Sequence, residues 1–294
     1  MHYLLKEVSA MNRKLQNIPI AVFVSLMLAA SFACSADAGV YRFNGSLFER
    51  VAGSLSQISA GADGAVWGVD GSNQVFRMAP NSGLFAQIPG TLRQISVGNA
   101  SNVWGVDSAS RVYRFNGSVF VQVPGSLSRI SVGSDGAAWG VNESNQVFRY
   151  NAGKRVFERI TGSLQRVEAG SANAAWGIDR LGRIYRFNPG NKLFIGIPGN
   201  YSDVSVGSDG SAWAVNTSGQ VFIYNPNSRL MTGVAGNLAK ISVGSATNVW
   251  GLNAKSEVFR LQGAVFTLVP GKLKQIDAAG SPRPNGGDAW GIGP

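Results

Sequence analysis

The chain has 294 residues, of which 26 are Lys or Arg and 16 are Asp or Glu, and its formal net charge is +10. Its one histidine, His2, and its one cysteine, Cys34, both lie in the first 38 residues. A chain without that segment has no thiolate, imidazole or disulfide, which excludes Ser-His-Asp catalysis and zinc sites built on His or Cys. The basic residues form no run, so the charge favours acidic polymers in general and predicts no specific nucleic-acid site.

Residues 1–38 have the pattern of an export signal. Basic residues precede an apolar run at 18–32, and Ala-Asp-Ala at 36–38 matches a signal cleavage site. The run is too short to span a bilayer as a helix, so we predict a secreted chain of residues 39–294, periplasmic or extracellular, with no transmembrane segment. Lipid attachment through Cys34 is the minor alternative, and it would tether the same fold.

The remainder of the chain is a repeat with a period of about 37 residues, a length typical of repeat architectures. Each unit carries one tryptophan. The tryptophans are Trp67, Trp104, Trp139, Trp176, Trp213, Trp250 and Trp290.

The unit that starts at Thr91 contains four short segments rich in β-branched and aromatic residues, separated by turn-forming residues. We predict strands A (Gln94–Val97), B (Val103–Val106), C (Val112–Phe115) and D (Val119–Val123), joined as antiparallel hairpins. An Asp or Asn three residues after the tryptophan is expected to open the B–C turn by accepting amide hydrogen bonds. A glycine, usually after proline, is expected to close strand D.

Four-stranded antiparallel units at a fixed period are typical of a β-propeller. After the export signal the chain starts with a C and D pair at residues 40–53, and it finishes with an A and B pair at residues 272–293. One blade is therefore shared between the termini, and its assembly closes the ring. We predict an all-β, seven-bladed β-propeller of four-stranded antiparallel blades; six blades are the alternative, which the tryptophan spacing disfavours.

The repeated pattern G-x-L-x-x-[IV]-S-x-G, W-G-V-[DN] and V-[FY]-R-[FY] resembles the tectonin repeat, which also occurs in tachylectin-like and fish-egg-lectin proteins. The resemblance extends from Val40 to Gly293, although fungal tectonin lectins have six blades rather than seven. It implies a non-enzymatic lectin of innate-defence type, without a cofactor, that recognises lipopolysaccharide or glycans, including O-methylated sugars, at pockets repeated around the ring. The alternative is a protein-interaction scaffold of the periplasm or extracellular space, in which repetition serves architecture alone.

Two repeated positions are candidates for carbohydrate contact. The candidate tryptophans are Trp67, Trp104, Trp139, Trp176, Trp213 and Trp250. The candidate arginines, near the end of strand C, are Arg77, Arg114, Arg149, Arg186 and Arg260, with Arg42 in the N-terminal pair and Ile223 as the exception. Each set has a structural alternative: the indoles could pack between blades, and the guanidinium groups could form salt bridges or bind carbonyl groups between blades.

The remaining polar positions are weaker signals. Asp63, Asp135 and Asp209 lie in Asp-Gly turns, which explains them better than metal binding does, and we predict no metal site. The loop at 281–290 is expected to be either a specialised loop or a looser closure of the ring. The residue before the aliphatic position of strand A varies, so we expect it to face solvent or a groove: Gln57, Gln94, Arg129, Arg166, Asp203, Lys240 and Gln275.

Overall fold

The computed structural model of the chain describes residues 39–79, 82–280 and 288–293. Within these ranges there are strands and turns but no helix, and so no helix long and apolar enough to cross a membrane. The predicted export signal, including Cys34, lies outside the described residues, as does most of the loop at 281–290.

The strands are numbered β1 to β28 in chain order. The N-terminal pair is β1 (Gly39–Phe43) and β2 (Phe48–Ser54). Blades 1 to 3 contain β3 (Gln57–Ala60), β4 (Val66–Val69), β5 (Gln74–Met78), β6 (Phe85–Thr91), β7 (Gln94–Asn99), β8 (Asn102–Val106), β9 (Arg111–Phe115), β10 (Phe120–Ser126), β11 (Arg129–Val132), β12 (Ala138–Val141), β13 (Gln146–Asn151) and β14 (Val156–Ser163). Blades 4 to 6 contain β15 (Arg166–Ala169), β16 (Ala175–Ile178), β17 (Ile184–Asn188), β18 (Leu193–Ile197), β19 (Asp203–Val206), β20 (Ala212–Val215), β21 (Gln220–Asn225), β22 (Leu230–Asn237), β23 (Lys240–Ser245), β24 (Asn248–Leu252), β25 (Glu257–Gln262) and β26 (Val265–Lys272). The C-terminal pair is β27 (Gln275–Ala278) and β28 (Ala289–Ile292).

These strands form seven four-stranded antiparallel sheets, which confirms the predicted seven-bladed propeller. Six blades are built from consecutive strands, and the seventh has the order β2-β1-β28-β27. There β1 pairs with β28 from Val40↔Ile292 to Arg42↔Trp290. Strand A of each blade contacts strand A of the next, and β27 contacts β3, so the ring closes through the blade that both termini share.

The B–C turns form as predicted. In blade 1, one carboxylate oxygen of Asp70, Oδ1, accepts hydrogen bonds from the backbone amides of Ser72 at 2.9 Å and Gln74 at 2.8 Å. The same pair of bonds recurs at Asp107, Asn142, Asp179, Asn216 and Asn253. The side chain thus satisfies two amides that the tight turn would otherwise leave unpaired.

Strand D extends further than predicted. β10 ends at Ser126 rather than at Val123, and its register with β9 shifts between those two residues. Gly125, with φ +145°, therefore lies in a bulge inside the strand and does not close it. The expectation that a glycine ends strand D is correct only for β18, which stops before Gly199.

The hydrophobic core is divided among the seams between blades. In the seam between blades 1 and 2, Trp67 and Val69 of one blade pack with Leu92, Val103 and Phe115 of the other, all of them buried. Each of the other seams has an equivalent cluster. Because each sheet buries both faces against its neighbours, a single blade has no stable core of its own.

The glycine that follows the tryptophan in six of the seven blades fits a close contact with a leucine. A Cβ at Gly68 would lie 2.5 Å from Leu55 Cδ1, closer than two carbon atoms can approach. In blade 5 both partners of this contact differ: Ala214 replaces the glycine, and Tyr201 replaces the leucine. The Tyr201 ring packs instead against Phe222, at a centroid distance of 5.4 Å.

Candidate functional site

The two ends of the ring carry different turns, because consecutive strands within a blade run in opposite directions. The A–B and C–D turns lie at one end, named the C–D face here. The B–C turns and the D–A connections lie at the other end, named the B–C face. The central channel, lined by strand A of every blade, runs between the two faces.

The tryptophans lie in the seams. Trp67 of blade 1 packs edge-on against Phe115 and Phe120 of blade 2, at centroid distances of 4.8 and 6.0 Å. The indoles proposed for sugar contact are buried, with at most 3% of each residue exposed: Trp67, Trp104, Trp139, Trp176, Trp213 and Trp250. The geometry supports the packing interpretation and leaves no indole face on which a sugar ring could stack.

The arginines of strand C lie above these indoles. Arg77 pairs in register with Trp67, and its Cζ lies 5.4 Å from the centre of that ring. The equivalent distances are 5.4 Å for Arg114 and 5.1 Å for Arg149. Arg186 instead lies 5.5 Å from Tyr224 of the next blade. The aromatic ring beneath each guanidinium holds it in place by a cation–π contact at the seam between two blades.

The arginines differ in their ionic partners. Arg260 forms a salt bridge with buried Asp288, with Nη2 and Oδ2 2.8 Å apart, so the structural alternative is realised there. Arg114 donates a longer bond of 3.3 Å to Asn102 Oδ1. These contacts place the arginines beside the A–B turns and therefore near the C–D face. The salt bridges among the described residues do not include Arg77, Arg149 or Arg186.

The Asp-Gly turns link neighbouring blades. Asp135 of blade 3 accepts hydrogen bonds from the amides of Ala137 at 3.0 Å and Ala172 of blade 4 at 2.7 Å. Asp63 and Asp209 make the same two kinds of contact in blades 1 and 5. Turn formation therefore explains all three carboxylates. The described residues contain no group of three Asp, Glu, His or Cys side chains close enough to hold a metal ion.

The central channel has a volume of about 700 Å³, and the variable first position of strand A lines it in every blade. Gln57 illustrates the structural role of this position. Its side-chain Nε2 donates a hydrogen bond to Ile95 O, and its Oε1 accepts one from Ile95 N, both at 2.8 Å. Two residues further along, Ser59 Oγ accepts from Val97 N at 3.2 Å. Side chains of one blade thus extend the hydrogen bonding of the next, and the channel wall joins the blades.

At the position of Ser59, two blades carry a carboxyl group instead of serine: Glu168 in blade 4 and Asp277 in blade 7. Asp277 in blade 7 replaces the serine and accepts from Ala60 N at 3.2 Å, which links blade 7 to blade 1. Burial, together with the nearby Glu168, raises the pKa of Asp277 to about 7. Burial also raises the pKa of Glu168, although Arg166 Nε lies 3.1 Å from its Oε1. Arg166 also forms a close ion pair with Asp203 of blade 5.

A smaller cavity of about 310 Å³ opens between blades 3 and 4, on the B–C face. Asp179 at its wall accepts from Arg183 Nε at 2.7 Å and from the Tyr185 hydroxyl at 3.1 Å. Burial alone would raise the pKa of Asp179, but the hydrogen bonds from Arg183 outweigh it and lower that pKa. Leu181, at the rim, is 70% exposed.

Sequence reasoning missed the two channel carboxyls and this cavity. A signal for the carboxyls was present, since Glu168 and Asp277 stand where the other blades have serine. The cavity gave no comparable signal, because Leu181 lies in a turn and the walls come from two different blades.

A family model, the Tectonin domain, matches residues 27–110, 91–263 and 223–289. No curated protein sequence matches the chain significantly.

Among solved structures, the chain is similar to Prp20p from Saccharomyces cerevisiae, a structure described together with the binding of Prp20p to Gsp1p and histones. The TM-score is 0.67 at 8% identity, and the match covers 87% of this chain and 91% of Prp20p. YCF48 bound to a D1 peptide has a TM-score of 0.60 at 12% identity, covering 88% and 96%. YCF48 from Cyanidioschyzon merolae has a TM-score of 0.58 at 14% identity, also covering 88% and 96%. At such identities the likeness extends to the fold alone.

Proposed function

Because this chain belongs to the tectonin family, we propose that it is a secreted, non-enzymatic lectin that binds anionic glycans, such as the polysaccharide of lipopolysaccharide, at its C–D face. The observation that supports this proposal is the ring of strand C arginines, present in six of seven blades and held over aromatic rings at the seams between blades. A guanidinium group offers a planar fork of donors to carboxylates, phosphates and hydroxyls.

Arg77, Arg149 and Arg186 are the arginines that we assign to the ligand. Each guanidinium lies over an aromatic ring at 5.1 to 5.5 Å, so its orientation is fixed before a ligand arrives. A preorganised group loses less conformational entropy on binding. The aromatic rings beneath them, Trp67, Trp139 and Tyr224, act indirectly, by closing the seams and supporting the arginines.

Repetition allows several weak binding sites to engage one ligand together. A single exposed guanidinium contact with an anion contributes little free energy in water. When several equivalent grooves engage one polymer or one patterned surface, avidity rises by roughly 10² to 10⁴ over a single site. Identical chemistry around the ring therefore suits a ligand that is itself repetitive.

The test is a glycan array and a binding titration with lipid-free polysaccharide prepared from lipopolysaccharide. We expect R77Q/R149Q/R186Q to lose at least tenfold in apparent affinity while unfolding at the wild-type temperature. The matched control is K255Q/K272Q/K274Q, which removes the same charge from the B–C face. Equal losses in both variants, or no glycan binding by the wild type, would overturn the proposal.

The second candidate is a protein-interaction scaffold, which the cavity between blades 3 and 4 favours. Its rim exposes Leu181, and its wall carries Tyr185 and Phe194, a combination suited to an apolar side chain of a partner protein. Among the structural neighbours, YCF48 was solved with a bound peptide. A protein partner captured by the wild type and lost with Leu181→Ser, together with a negative glycan array, would favour this candidate.

A further inference from the structure

The C–D face carries an apolar residue at one turn position of every blade. Each precedes the large apolar residue that begins the buried side of strand D. We name the set the apolar crown: Leu47, Leu84, Val119, Val156, Leu193, Leu230 and Val265. Six of them are 42 to 54% exposed, and Val156 is half-buried. Singly exposed apolar residues are common on proteins, but one at the same turn position in each of seven blades is a pattern.

The hairpin register places the crown at the turn. Leu193 pairs with Asn188 and Leu230 with Asn225, in each case the last pair before the chain reverses. The following residue points into the seam, so alternation directs the crown residue away from it. Threonine would serve strand formation equally well at an exposed position, so the conformation of the hairpin does not require an apolar side chain.

The same turns carry basic residues at a costly backbone position. Arg155, Lys192 and Arg229 have φ between +57° and +60°, and each immediately precedes its crown residue. The corresponding position in blade 1 is Gly83, which adopts such a φ, +65°, without steric cost. A long basic side chain in this conformation is unfavourable in itself, which suggests a use for the charge.

The charge of the C–D turns is of one sign. Among their described residues the charged ones are Lys154, Arg155, Lys192 and Arg229, and none is acidic. Lys154 pairs with Glu158 of strand D, at 2.7 Å between Nζ and Oε1, and the salt bridges of the described residues do not include the other three. Basic groups next to exposed apolar side chains are the combination that attracts a protein to an anionic membrane surface.

We propose that the apolar crown docks the C–D face onto an anionic lipid bilayer, with the leucine and valine side chains in the interface and the turn cations on lipid phosphates. The arrangement favours a bilayer over a protein partner. Seven separated points around a rim match a flat and continuous surface, whereas a protein interface needs one contiguous patch. This inference is independent of the glycan activity, because it concerns lipids that carry no sugar.

Sedimentation with sugar-free vesicles tests the inference on the purified secreted protein. We expect binding to vesicles of equal phosphatidylglycerol and phosphatidylcholine to be at least tenfold tighter than to phosphatidylcholine alone. L84S/L193S/L230S/V265S should weaken that binding at least tenfold, and R155Q/K192Q/R229Q should do the same at low salt. The matched control, Leu268→Ser, removes an apolar side chain that is 55% exposed in the middle of strand D of blade 6, and it should stay within twofold of the wild type.

Lipid-free polysaccharide separates the two proposals, because the serine variant should bind it as the wild type does. Near-ultraviolet circular dichroism and thermal unfolding confirm that the variant is folded. Absence of vesicle binding, or wild-type binding by the folded serine variant, would overturn membrane docking. A wild-type dimer that the serine substitutions convert to monomer would overturn it as well, by assigning the crown to a second copy of the chain.

Discussion

The C–D face and the B–C face differ in what they repeat. On the C–D face, an arginine recurs in six blades and an apolar turn residue in all seven. On the B–C face, the described residues form features that differ from blade to blade: the cavity with Leu181 lies between blades 3 and 4, and the Asp-Arg-Tyr cluster forms in blades 2 and 4. One scaffold therefore presents a repeated surface at one end and individual features at the other.

This difference separates architecture from function. Every blade has the buried tryptophan, and every B–C turn has an Asp or Asn that accepts hydrogen bonds from the amides of that turn. The ring does not need the strand C arginine, since blade 5 folds with Ile223 at that position. A group that recurs without a structural requirement is a better indicator of binding than one that the fold needs.

The largest effect is expected in the seams, which support both faces. Trp139 is fully buried and packs 4.7 Å from Phe187 of the next blade, so Trp139→Ala should lower the free energy of unfolding by about 3–5 kcal/mol. Chemical denaturation measures this. Arg149→Gln, which removes only the group above the indole, should cost about 1 kcal/mol or less. A tryptophan variant no less stable than the arginine variant would contradict the seam assignment.

A smaller loss is expected at the Asp-Gly turns of the C–D face. Asp135→Ala removes the acceptor of the amides of Ala137 and Ala172, the second of which belongs to the next blade. We expect stability to fall by about 1–2 kcal/mol in thermal or chemical unfolding. Glu143→Ala, in an exposed B–C turn of the same blade, is the control and should be close to neutral. A wild-type stability for Asp135→Ala would show that the link between blades contributes nothing.

The channel should make stability depend on pH. Because the pKa of Asp277 is raised from 3.8 to about 7 in the folded chain, the native state binds more protons than the unfolded state between these values. Stability therefore falls as pH rises through this window, by up to about 4 kcal/mol across the whole window, since one pKa unit corresponds to about 1.4 kcal/mol. Asp277→Ser copies the serine of most other blades and should flatten the dependence. If the free energy of unfolding changed equally between pH 5 and pH 8 in the wild type and in Asp277→Ser, this role of Asp277 would be ruled out.

The smallest effect is a gain. Ile223→Arg gives blade 5 the arginine that the other blades have, paired in register with Trp213. One further exposed contact of about 0.5–1 kcal/mol should strengthen binding to lipid-free polysaccharide roughly two- to fivefold. Titration against the wild type measures it, with Ile223→Gln as the control for lost apolar volume. An equal gain in affinity with Ile223→Gln would show that the effect does not depend on the charge of the arginine.

Much of the fold could be predicted from the sequence because the same pattern of strand and turn residues recurs in each repeat. The seven blades and the shared blade, with β1 beside β28, were predicted and are confirmed. The ends of strand D were wrong because Pro-Gly signals a bulge as readily as a turn; only its register with strand C distinguishes them. The apolar crown was missed for a similar reason, since Leu193 or Val265 has the residue type of an ordinary strand and only its exposure is unusual.

The site was harder to predict than the fold. A tryptophan among small residues suits both packing and sugar stacking, and only the neighbouring blade decides between them by covering Trp67 with Phe115. Asp277 and Glu168 belong to blades far apart in the sequence, and the influence of Glu168 on the pKa of Asp277 arises only when the ring brings them to one channel. Periodicity describes each blade, whereas binding surfaces depend on how blades meet.

Hydrogen–deuterium exchange with and without lipid-free polysaccharide tests most directly whether the repeated face binds the ligand. We expect added protection at the A–B and C–D turns of several blades, such as residues 98–102 and 188–193, and none at the B–C turns. Protection confined to residues 179–183 of the B–C face would contradict the assignment and place the ligand at a single site.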